Sequence, residues 1–208
     1  MAGKSENSKT MGKYDRAAGL YDIFELPLEK IWFSRWRKKY ISPLKGRILE
    51  VGIGTGKNIP YYSQYANVTG IDFSRKMLER AEKRLERSGK KNIELKLMDA
   101  EKLEFEDNSF DYVVTSCVFC SVPDPVKGLK EIKRVLRPSG KLVMIEHVLS
   151  SNKAIAFIEK LHNPIMRFLT GTEINRDTKK NIQKAGLRII KDIKLALFDV
   201  FRLFEAGK

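Results

Sequence analysis

The chain has 208 residues, 42% apolar and 32% charged, with a formal net charge of +14. That length suits one domain with a self-sufficient core, and the apolar share excludes a disordered chain. No apolar run is long enough to cross a bilayer, the polar, basic start has no signal-peptide core, and two cysteines exclude a disulfide scaffold, so a cytoplasmic location is expected.

Residues 1–13 read as a disordered basic arm. Residues 14–40 carry two helical segments, broken near Pro27. In the second, Leu28, Ile31, Trp32 and Trp36 share a face at helical spacing, surrounded by Lys30, Arg35, Arg37, Lys38 and Lys39. Such a helix suits an anionic membrane interface, or a lid that packs its stripe on the core; the two uses are compatible. From Gly46 onward strand and helix alternate. Strands are expected at 47–51, 67–71, 93–98, 110–114 and 141–147, and helices at 57–63, 74–88 and 126–136. Ser74 can N-cap its helix and Gly89 can end it. Residues 152–169 and 175–185 read as further helices, with a kink point at Pro164. Residues 188–195 and 198–204 alternate like an antiparallel pair that finishes the sheet. This rhythm predicts an α/β domain with an open, mostly parallel sheet. No linker divides residues 14–208, so they form a single domain.

The strongest local signal is Glu50-Val51-Gly52-Ile53-Gly54-Thr55-Gly56, directly after the first strand. Glycines suit a tight turn whose backbone a ligand must approach. Asp72 follows the second strand, where a carboxylate can accept both hydroxyls of a ribose. The spacing is GxGxG, which fits neither the dinucleotide loop nor the phosphate-binding P-loop. Cys117 and Cys120 form a CxxC. With His147 and His162 they are all the cysteines and histidines of the chain. They read as small apolar residues at a strand end, and no metal is expected.

The loop resembles motif I of the class I S-adenosylmethionine (SAM) methyltransferases. Asp72, Met98-Asp99-Ala100-Glu101, Asn108-Ser109-Phe110-Asp111 and Arg134-Val135-Leu136-Arg137-Pro138-Ser139-Gly140 extend the likeness. It implies a Rossmann-like fold with seven strands, an antiparallel strand near the C-terminus and an N-terminal helical lid. It further implies SAM as cofactor and S-adenosylhomocysteine as product. Gly52, Gly54 and Gly56 would lie along the methionine part and Asp72 would hold the ribose. Phe73, Ser74 and Met77 would border the adenine, while Asp99 would accept from its amino group and Ala100 would donate a backbone N–H. Ser116 and Cys117 would face the reacting methyl. Tyr14-Asp15 and Tyr21-Asp22 look like the Tyr-Asp repeat of small-molecule members, in which a tyrosine such as Tyr21 closes over the cofactor.

No Asn-Pro-Pro-Tyr stands after the fourth strand, which points away from nucleic acid bases and toward a small molecule or lipid. Ile59-Pro60-Tyr61-Tyr62 and Val122-Pro123-Asp124-Pro125 resemble bacterial phosphatidylethanolamine N-methyltransferases, which implies a lipid amine and an anionic membrane surface. Cys117-Val118-Phe119-Cys120-Ser121-Val122, Met144-Ile145-Glu146-His147-Val148 and Asn175-Arg176-Asp177-Thr178 resemble membrane-associated thiol S-methyltransferases. Quinone-ring C-methyltransferases share the framework, and a non-catalytic SAM-binding module stays open. An amine acceptor must lose a proton before attack, and His147 is the candidate base. Glu146 reads as structural. His162 and Asn163 fall at the substrate roof, and Arg176 and Asp177 suit either a headgroup or a helix-start charge pair. A phospholipid amine at the inner membrane face is the expected acceptor, with no specific nucleic acid partner.

Overall fold

The computed structural model describes residues 32–170, 172–197 and 199–208. The expected arm at 1–13, the first lid segment and Tyr21 lie outside them. A short helix α1 (Ser34–Tyr40) leads into β1 (Gly46–Val51), β2 (Ala66–Asp72), α2 (Arg75–Ser88), β3 (Ile93–Leu97), β4 (Phe110–Ser116) and α3 (Pro125–Val135). Then follow β5 (Leu136–His147), α4 (Lys153–Thr170), α5 (Thr178–Lys184), β6 (Arg188–Ala196) and β7 (Phe201–Gly207). The seven strands form one sheet in the order β3-β2-β1-β4-β5-β7-β6. β1 to β5 run parallel, and β7 pairs antiparallel with both β5 and β6. The order reverses between β1 and β4, so the C-terminal ends of these two strands open a crevice for a ligand.

Apolar strand residues explain the layering. Val113, Leu142 and Met144 pack with Leu129 and Ile132 of α3 and Ile182 of α5 on one side. On the other, Ile48, Val68 and Val114 pack with Leu78 and Ala81 of α2. The helix ends follow local chemistry. Ser74 accepts from Met77 N at 3.2 Å, and Gly89 closes α2 at φ +66°.

Several expectations shift. Residues 57–63 make only a one-turn 3-10 helix (Ile59–Tyr61), with Pro60 in it and Tyr62 leaving extended at ψ 133°. The last strand begins at Phe201 rather than 198, because the chain first turns at Leu197 (φ +50°). The helix expected from 175 begins at Thr178, since Asp177 is its N-cap and accepts from Lys180 N at 3.0 Å. β5 reaches back to Leu136, which pairs with Phe110 ahead of a register shift.

The Trp-bearing helix is a lid. Trp36 is 7% exposed and packs with Val143, Ile145, Val200, Phe201 and Leu203, and Trp32 lies against the same cluster. The Trp36 ring sits 5.7 Å from Phe201 and 4.9 Å from Phe33. Arg37, expected among the solvated cations, is buried, and its Nε donates to Asn58 Oδ1 at 2.5 Å. Of that ring of charges Arg35, Lys38 and Lys39 stay exposed. Trp36→Ala should therefore cost about 3 kcal/mol in urea unfolding, while Arg35→Ala should stay within about 0.5 kcal/mol; equal effects would refute the lid packing.

Candidate active site

A cavity of about 530 Å³ lies over the ends of β1, β2 and β4, a volume within the range of small-molecule sites. Two carboxylates near strand ends organise its surroundings, Asp72 on β2 and Glu50 on β1. Asp72, at the end of β2, accepts Gly54 N on Oδ2 and Ser74 N on Oδ1, both at 2.9 Å. It thus joins the glycine loop to the start of α2.

The glycine loop takes shape from its neighbours. Gly52 has φ +68°, and a Cβ there would meet Val118 Cγ2 at 2.5 Å. Gly52 and Gly54 line the cavity. Gly56 instead packs outward, where a Cβ would stand 3.1 Å from the Ala81 backbone of α2. Its absence of a side chain serves helix-sheet contact rather than the ligand.

Glu50 is the second carboxylate. It is buried, accepting from Asn58 Nδ2 at 2.6 Å and Tyr62 OH at 2.9 Å. Asn58 also donates to Ser116 Oγ at 3.2 Å and accepts from Arg37. Arg37, Asn58, Glu50 and Ser116 all line the cavity. This chain of hydrogen bonds couples α1 to the ends of β1 and β4. Burial pushes Glu50 up to about 7, against the hydrogen bonds from Tyr62 and Asn58 and the charge of Arg37. Burial, followed by the charge of Glu50, pushes the Tyr62 hydroxyl well above its ordinary value. The sequence gives Asn58 and Glu50 no site role and sets Arg37 among the solvated cations, although Glu50 stands two residues before Gly52 and Asn58 two after Gly56.

Phe73, Met77, Asp99, Ala100, Ser116 and Cys117 line the cavity as well. Asp99 Oδ1 accepts from Glu101 N at 2.8 Å. Ser74 is fully buried and serves as the cap of α2 rather than as lining. His147 is not among the lining residues. It ends β5, its ring centroid 5.4 Å from Phe201, and its Nε2 stands 3.9 Å from Glu159 Oε1. Burial lowers its basicity, opposed by a hydrogen bond with the Ile174 backbone. Arg176 pairs with Glu173 at 2.9 Å, and Asp177 caps α5. His162 faces back along its helix, with Nδ1 2.9 Å from Ile158 O. Asn163 accepts from Ile174 N at 2.9 Å. Cys117 and Cys120 are free thiols, and burial pushes Cys120 up to about 12.

Residues 49–144 match the family model described as "Methyltransferase domain". Over 141 residues the chain is 41% identical to a phosphatidylethanolamine N-methyltransferase of Cereibacter sphaeroides, covering 66% of this chain and 70% of that one. The chain belongs to the class I SAM-dependent methyltransferases. It is also 36% identical to a ubiquinone/menaquinone biosynthesis C-methyltransferase of Desulfotalea psychrophila over 64% of this chain, and spans only 56% of that relative's length. A SAM-dependent methyltransferase of Thermotoga maritima shares the fold at a TM-score of 0.72, with 20% identity over 95% of this chain and 99% of that one. SAM is therefore the cofactor of this methyltransferase. The cavity suits it: carboxylates and a backbone loop for its polar parts, and Met77, Leu97 and Val122 as apolar lining.

Glu50 holds its proton more tightly in the folded chain than at its ordinary value of 4.5. Its stabilising contribution is complete below about pH 4.5 and is lost as pH rises through about 7. Thermal melts of Glu50→Gln across that window should show a shallower decline with pH than the wild-type chain; identical slopes would reject the assignment.

Proposed function

We propose that this methyltransferase acts on the amine headgroup of a phosphatidylethanolamine-type phospholipid at a membrane surface. The observation that carries the reading is the 41% identity to the Cereibacter sphaeroides enzyme of that name. In this reading Asp72 holds the ribose, Gly52 and Gly54 run beside the methionine part, and Phe73 and Met77 border the adenine. Asp99 and Ala100 read the adenine edge. Ser116 and Cys117 flank the reacting carbon, and Arg37, Asn58 and Glu50 set the polar end. SAM supplies an electrophilic methyl on a sulfonium. The chain contributes alignment of the two reactants and exclusion of water. An ammonium headgroup must shed a proton before its nitrogen can attack; His147, the base expected from the sequence, ends β5 outside the cavity lining and is given no part in that step.

The membrane contact is assigned to α4, in place of the Trp-bearing helix. Phe157, Ile158 and Leu161 are 67%, 54% and 64% exposed. They are flanked by exposed Lys153 and Lys160. An apolar stripe beside cations matches an anionic bilayer surface. Among the described residues no helix is long and apolar enough to cross a membrane. The second reading is a quinone-ring C-methyltransferase, favoured by the 36% identity to the Desulfotalea psychrophila enzyme.

The deciding assay offers radiolabelled SAM with phosphatidylethanolamine vesicles, a quinol precursor and alkyl thiols. Label in the phospholipid is expected; label confined to the quinol or the thiol would replace the reading. Asp72→Ala should weaken SAM binding by at least about tenfold in calorimetry, and unchanged affinity would reject the ribose role. The wild-type chain should sediment with anionic vesicles, less so in high salt. Phe157→Glu with Leu161→Glu should abolish sedimentation while SAM affinity holds. Retained sedimentation would move the contact elsewhere.

A further inference from the structure

Glu146 is a fully buried carboxylate to which neither the cofactor nor the acceptor reading gives a role. It projects from β5 and collects three donors from β4 and the turn that follows. Thr115 Oγ1 lies at 2.7 Å, Val118 N at 3.1 Å and Phe119 N at 3.3 Å. Between these contacts sits Cys117, whose φ of +55° lies in the left-handed region. A non-glycine residue keeps that conformation only where its surroundings enforce it. Here the enforcement comes from Cys117 N donating to Ile145 O at 2.8 Å and from Glu146 gripping the next two amides. The turn so held is a wall of the cavity, with Cys117, Val118, Ser121 and Val122 in its lining. The Val118 methyls close over the bare Cα of Gly52.

We propose that Glu146 is a positioning residue for methyl transfer: it holds the turn at residues 117–119, and through Val118 the register of the glycine loop, in the geometry that SAM requires. The proposal rests on SAM occupying this cavity and is independent of the acceptor. A carboxylate can accept all three donors at once. A protonated carboxyl must turn one oxygen into a donor and loses part of that grip. Burial pushes Glu146 up to about 7, so the grip strengthens as pH rises through neutrality. Around it stand the Cys120 thiol, which Glu146 pushes further up, and Arg176, which acts on the same thiol in the opposite sense. Arg202, opposite on β7, directs its charge to Asp192 at 2.6 Å.

The test is SAM affinity of the full chain by calorimetry from about pH 5.5 to 8.5, wild type against Glu146→Gln, with no acceptor present. Glu50 titrates in the same range and contributes equally to both proteins, so the difference between them is the readout. Glu146→Gln should bind SAM at least about tenfold more weakly at pH 8 and should lose about one proton from the pH dependence. Wild-type affinity with an unchanged pH slope overturns the proposal. Thr115→Val gives a second handle should Glu146→Gln fail to fold. Removing one donor should move the acid limb upward by about half a unit or more, and an unmoved limb overturns the proposal equally. Failure of methyl transfer to phospholipid would remove the acceptor reading and leave these affinities as they are.

Discussion

One carboxylate holds two turns at once. Asp72 takes an amide from the glycine loop and another from the entrance to α2. Both backbone segments that border this part of the cavity are thereby registered to the end of one strand. Charge-assisted hydrogen bonds of this kind are among the stronger ones in proteins. Beside them the loop has a backbone bond to the same strand, from Ile53 N to Ile71 O at 2.9 Å.

The same device recurs on neighbouring strands. Glu50 ends the run of β1 toward the glycine loop and is tied to Tyr62 and Asn58. Glu146, near the end of β5, grips the turn after β4. The site is thus built from acidic groups inside the protein and donors brought to them, beneath a strongly basic exterior. Burying carboxylates is costly unless they are well paired, and Glu50 and Glu146 answer partly by binding protons more tightly.

Alternation of short apolar strands with amphipathic helices was enough to indicate the parallel sheet, because both periods are local and burial on two faces leaves a plain apolar run. The GxGxG loop, Asp72 and Asp99 were legible for the same reason, as each sits beside a strand that announces it. Arg37 was not. Its charge and its neighbours suggested solvent or lipid, and the packing of Trp36 on Val143, Ile145 and Phe201, with the bond from Arg37 to Asn58, turns it inward. Glu146 was read as structural, but its partners were out of sight because they come from 27 to 31 positions away. The one-turn helix at Ile59–Tyr61 was overread, since Pro60 permits a start and Tyr62 immediately ends it.

The aromatic contact between Trp36 and Phe201 also has a temporal side. It joins segments 165 positions apart, and β7 is inserted between β5 and β6 only after both have been made. Contacts of such separation form late and slowly. During synthesis the glycine loop and Asp72 can come together while the ribosome is still producing the remainder. Trp36, next to Arg37, gains its Phe201 and Leu203 partners only when the last strand has emerged and closed the sheet. A nascent chain lacking that strand would hold all the residues that line the cavity but only part of the aromatic packing that seats the helix beside it.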